Sequence, residues 1–153
     1  MPSGDPTLAL TIAGLARITE VALEQHGLTI QKYRVLAYLS WKEMSPSELA
    51  DQLFVKPPVT SKIVYGLAER GFIVRTVDPG DRRRSVLALT ASGTIVLRAA
   101  NVAIHDGLQQ VGSMLDADEQ QAAYAGLGLW SEAMRRFLER SHDETLARRR
   151  PRA

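Results

Sequence analysis

Ser61, Lys62 and Tyr65 place two hydroxyls and a cation at spacings that share one side of a helix. Val59, Ile63 and Leu67 repeat on the other side, so the polar set is expected to face outward. Short hydrogen-bonding groups beside an ammonium suit base edges and phosphates, and the major groove of B-form DNA is wide enough to admit a helix. Thr60 stands at the border of this face and Pro58 falls on it. Lys56 comes just before, where it and the free N–H groups of a helix start can hold a phosphate. Ser45 and Ser47, at the start of the preceding helix, complete the expected groove-facing set on this side. A second cationic group, Arg82, Arg83 and Arg84, follows the turn residues Asp78-Pro79-Gly80-Asp81. Arg83 near that tip is placed to enter a minor groove, and Asp81 can pair with an arginine and hold the tip in shape.

Other chemistry is poorly supplied. The chain has no cysteine, which excludes disulfides, thiol redox sensing and any cysteine-based zinc site. His26, His105 and His142 lack metal-ligand spacing, and there is neither a glycine-rich phosphate loop nor a Gly-x-Ser-x-Gly elbow. No catalytic residue, metal or cofactor is expected, and the chain does not read as an enzyme. Tyr33, Arg34, Tyr38 and Trp41 form a polar-aromatic group that suits an aromatic carboxylate through a charge-assisted pair and stacking. The plainer reading pairs Arg34 with a glutamate and packs the rings.

These residues must be positioned by a small, mostly helical chain. Its 153 residues fit one domain with helical extensions, at 45% hydrophobic and 24% charged. Net charge is only +2. Between positions 56 and 84, however, Lys56, Lys62, Arg70, Arg75 and Arg82 to Arg84 outnumber Glu69, Asp78 and Asp81. A second basic group lies between Arg140 and Arg152, as expected for a polyanion-binding footprint on an otherwise acidic chain. No run of about 18 uncharged apolar residues is present and the N-terminus does not resemble a secretory signal, so no membrane span and a cytoplasmic location are expected.

Helical periodicity runs from Pro6 to His26 and closes at Gly27; Thr29 caps a second helix to Trp41. Ser45-Pro46-Ser47-Glu48 is a capping box opening a short third helix to Leu53. A fourth runs from Pro57 to Arg70. The period then changes to two over Phe72–Val77 and Ser85–Thr90, a hairpin. Thr90 caps a fifth helix to Leu115, and Asp116 with Glu119 opens a sixth to Arg140. Its apolar stripe is Ala123, Leu127, Trp130, Met134 and Phe137. The expected fold class is mainly α: a winged helix-turn-helix of about six helices plus a two-stranded β-hairpin wing. The long flanking helices have little to bury against within one chain, so a homodimer through the N- and C-terminal helices is expected. The corresponding segments are 1–28 and 94–141 for dimerisation, 29–93 for the DNA-binding lobe, and 142–153 as a disordered basic tail.

The stretch from Leu49 to Arg75, with Val59-Thr60-Ser61-Lys62-Ile63 at its centre, resembles the helix-turn-helix of the MarR family. Asp81-Arg82-Arg83, a short strand, and Leu89-Thr90-Ala91-Ser92-Gly93 resemble that family's wing, and the likeness spans roughly residues 6 to 140. It implies a homodimer whose first, fifth and sixth helices form the dimer lobe, on a palindrome-like operator in double-stranded DNA. It also implies repression or activation of nearby genes and release by a small-molecule effector. In the family the arginine matching Arg83 enters the minor groove and the aspartate matching Asp81 braces it. Lys56-Pro57-Pro58 depart from the Ser or Thr caps with which the family begins its recognition helix, which suits Lys56 to clamping a phosphate. Two rivals share the fold: a nucleoid-type protein that binds DNA without sequence choice, and a winged helix that binds protein.

Overall fold

The computed structural model describes residues 6–77, 80 and 85–149. In chain order its elements are α1 (Pro6–Glu24), α2 (Ile30–Trp41), α3 (Pro46–Leu53), α4 (Pro57–Glu69), β1 (Ile73–Val77), β2 (Ser85–Leu89), α5 (Ala91–Gly112) and α6 (Ala117–Arg149). They form two compact units, Met1–Gln110 and Val111–Ala153.

The first unit is a winged helix. Its core gathers Leu23 from α1, Val35, Leu36 and Leu39 from α2, Leu49 and Leu53 from α3, Leu67 from α4, Ile73 and Leu87 from the hairpin, and Leu97 and Ala100 from α5. Local chemistry starts α2 and α3. Thr29 accepts from Lys32 N at 3.3 Å to cap α2. Ser45 and Glu48 close the expected capping box on α3, with Ser45 N donating to Glu48 Oε2 at 2.8 Å. Gly27 and Gly71 end α1 and α4 in the same way, at φ 64° and 69°, a region closed to most side chains. Each lets the next residue reach back, Leu28 N to Leu23 O and Phe72 N to Leu67 O, both at 3.0 Å.

The hairpin is antiparallel, in register from Ile73 opposite Leu89 to Val77 opposite Ser85. Met44, before α3, joins it through a bridge to Leu87, exchanging hydrogen bonds of 3.2 and 2.8 Å. Thr90 locks the start of α5 to the end of α4: its hydroxyl donates to Gly71 O at 2.6 Å and accepts from Gly93 N at 3.0 Å, while its N–H donates to Phe72 O. At Gly107 a Cβ would stand 2.8 Å from Ile18 Cγ2, so α1 and α5 approach closely there.

In the second unit, Asp116 and Glu119 form the expected reciprocal box at the start of α6. Glu132 accepts from both Arg135 and Arg136 at 2.7 to 2.9 Å, and these bonds hold its carboxyl down to about 2. Two boundaries differ from the sequence reading. α5 ends at Gly112 because Met114 and Leu115 turn back onto Val111 and Gly112. α6 continues past Arg140, so the tail expected to be disordered from 142 is helical as far as Arg149. Good helix formers there extend the ladder without an apolar stripe. By length and composition alone α1 is apolar enough to cross a bilayer, yet Leu23 near its end is buried in the core.

Candidate nucleic-acid interface

α3, the turn after it and α4 form the helix-turn-helix. Phe54 makes that turn with a left-handed backbone, φ 55°, and its N–H caps α3 by donating to Ala50 O and Asp51 O. Leu67 and Thr60 face inward from α4, with Ile63 and Val64 half-buried beside them. Ser61, Lys62 and Tyr65 all face solvent, Tyr65 at 67% exposure, and Lys62 makes no ion pair among the described residues. This is the free polar face expected from their spacing. Pro58 and Lys56 are exposed beside it.

Three expectations about this face need correction. Thr60 does not border the groove: it is 1% exposed, while Val59 is 47% exposed. The inner surface of α4 is therefore rotated by one residue at its first turn. Thr60 Oγ1 has no hydrogen-bond partner among the described residues. Thr60→Val should therefore raise stability by about 1 kcal/mol, since it removes an unpaired buried hydroxyl at constant shape. A chemical denaturation midpoint measures this, and DNA affinity should not fall. Ser45 is also unavailable, at 6% exposure, with its hydroxyl 2.6 Å from Glu48 Oε2 and 3.1 Å from Ser47 Oγ. Ser47 itself is exposed. Finally, α4 offers no free N–H groups to a phosphate at its start. Pro57 and Pro58 have none, and those of Val59 and Thr60 donate to Lys56 O at 2.9 and 3.3 Å.

Two of the basic residues serve the fold. Arg70 donates to Gly27 O at 2.6 Å and His26 O at 3.0 Å, and its guanidinium lies 4.5 Å from the centre of the Phe72 ring. It ties the end of α1 to the end of α4. Arg70→Ala should cost about 1 to 2 kcal/mol, two charge-assisted bonds with partial solvent replacement, and equilibrium unfolding reads it directly. Arg75 Nε donates to Ser85 Oγ at 3.0 Å across the hairpin. Asp81, Arg82, Arg83 and Arg84 lie outside the described residues.

The MarR family model matches residues 26–84, which run from just past α1 through the helix-turn-helix and β1 and stop before β2. The transcriptional regulator PapX of Escherichia coli is 34% identical over 98 residues, 61% of this chain and 59% of its own length. The chain thus spans less than two thirds of that relative. The YusO protein of Bacillus subtilis is similar in structure, with TM-score 0.69 and 26% identity over 82% of this chain and 90% of its own. Over residues 26–84 the chain is similar to the MarR family, and it has the winged-helix fold of MarR itself. The family fold is also that of a Staphylococcus aureus MepR mutant bound to an oligodeoxyribonucleotide, with TM-score 0.64 and 23% identity over 84% of this chain and 95% of that one.

In this MarR-like chain three of the four expected ligand-binding residues lie together and the fourth does not join them. Arg34, Tyr38 and Trp41 follow one another along α2, with the Arg34 guanidinium 5.9 Å from the Tyr38 ring centre and Tyr38 edge-on to Trp41 at 5.6 Å. Among the described residues Arg34 pairs with no glutamate. It donates to Gln52 O and Leu53 O at 3.4 Å, satisfying carbonyls at the end of α3. Tyr33 turns elsewhere and donates to Asn101 Oδ1 on α5 at 2.8 Å, and burial pushes its hydroxyl pKa up. Arg34 and Arg70 are positioning residues whose carbonyl partners the sequence reading did not foresee. Backbone carbonyls distant in the chain leave no spacing signal.

Proposed function

We propose that the chain is a sequence-specific duplex-DNA-binding transcription regulator, acting as a homodimer on a palindrome-like operator. The observation that carries this reading is the outer face of α4, where Ser61, Lys62 and Tyr65 stand exposed beside a hairpin. That the same fold occurs in a protein bound to an oligodeoxyribonucleotide supports it. In the proposed docking α4 lies in the major groove, Lys56 and Ser47 meet phosphates, and Arg83, braced by Asp81, enters the adjacent minor groove with Arg82 and Arg84 near the backbone.

Titration of the full chain with duplex DNA at moderate salt tests this. Lys62→Ala and Arg83→Ala should each weaken binding by about 1 to 3 kcal/mol. Unchanged affinity in both variants would refute the assignment of helix and wing. Competition with random duplex separates a regulator from a nucleoid-type protein, since a regulator keeps a preference of about a thousandfold or more. The reading extends to repression in the cytoplasm, released by a small molecule. Protection of DNA around the protein's own gene should then disappear on adding an aromatic carboxylic acid effector. Because Arg34 is occupied by the carbonyls of α3, such an effector would have to displace them to use it.

A further inference from the structure

We propose that Val59, with Pro58 beside it, reads the 5-methyl group of a thymine in the major groove, so that the apolar start of α4 determines specificity. The proposal rests on the DNA-binding reading above and adds to it a named base feature. Helices of this motif contact base edges with their N-terminal residues. Here the backbone of that end has nothing to donate to a base. Pro57 and Pro58 lack N–H groups, the N–H groups of Val59 and Thr60 are committed to Lys56 O, and the Lys56 side chain makes no capping bond. The side chains do not compensate: Pro58 is exposed, Val59 is half-exposed, and the hydroxyl that might have served, on Thr60, is buried.

An apolar surface pressed on purine N7 or O6 would leave those acceptors dehydrated and unpaired. The thymine methyl is the one apolar feature that the major groove displays. The flank that carries Val59 also lets the helix settle. One turn on along it stands Lys62, which supplies a cation, and one turn further Gly66, where a Cβ would meet nothing within 4 Å. No side chain at Gly66 holds the backbone off the groove, so Val59 can make close contact while Lys62 binds beside it.

The test begins with the full chain selecting duplexes from a randomised double-stranded pool. In the best-bound duplex each dT is then replaced singly by dU, which removes the methyl and keeps base pairing. At one or more positions in each half-site, dU should lower affinity about fourfold, the loss of one buried methyl. Val59→Ala should bind the dT and dU duplexes equally while keeping its helical content, and Lys62→Ala should weaken both alike and preserve their difference. The inference is overturned if dU is neutral at every position, or if Val59→Ala keeps the full dT preference. Failure to bind any duplex in the pool would refute the DNA-binding reading itself, and the inference with it.

Discussion

Gly93→Ala is expected to lower the free energy of unfolding by about 3 kcal/mol, the upper end of what overpacking costs. A Cβ at this position would fall inside the van der Waals shell of Phe72 O, and stand 2.9 Å from Phe72 C and 2.8 Å from Leu89 Cδ1. The atoms met are mostly backbone and are held in place. Phe72 O accepts from Thr90 N at 3.1 Å, and the neighbouring Gly71 O accepts from Thr90 Oγ1 at 2.6 Å. Relief would require the start of α5 to leave the α4–β1 turn, breaking both bonds and disturbing the Ile73–Leu89 end of the hairpin. Urea unfolding measures the loss. Gly66→Ala is the control: with open space at its Cβ it should gain about 0.5 to 1 kcal/mol from helix propensity. Gly93→Ala stability equal to the parent's would show that the close approach does not hold in solution.

The second large effect is expected at Trp130. Leu127, Trp130, Met134 and Phe137 recur along one side of α6, and every one is exposed, Trp130 at 69%. α1 likewise presents Leu8, Leu10 and Ile12 to solvent. Apolar stripes of this extent are rarely left in water, and a second copy supplies the same stripes by symmetry. In the proposed dimer Trp130→Glu exchanges a buried indole for a charge. The dissociation constant should rise at least about a hundredfold, given roughly 3 kcal/mol for a large buried side chain. Sedimentation equilibrium reads this. The parent's thermal midpoint should also rise with protein concentration while the variant's stays flat. A parent chain that is monomeric at every concentration, or an unaffected Trp130→Glu dimer, would exclude this interface. DNA affinity should fall with dimerisation, because one recognition helix per molecule cannot span two half-sites.

What the amino-acid order determined by itself was everything set within a few residues. Ser45-Pro46-Ser47-Glu48 starts α3 and Asp116 with Glu119 starts α6, because each box closes on backbone within one turn. Alternation over Ile73–Val77 and Ser85–Leu89 made the hairpin legible, and its flanks made the resemblance to the MarR wing legible. Only the tertiary structure decided which way the first turn of α4 rolls. Period alone favours Val59 inward, but the folded chain buries Thr60, whose methyl and β-branch pass for valine's apart from one unpaired hydroxyl. It also decided where the long cations go. Arg70 finds carbonyls 43 residues away, and Arg34 finds others 18 and 19 residues away, because a guanidinium bonds whatever oxygen the folded chain brings within reach.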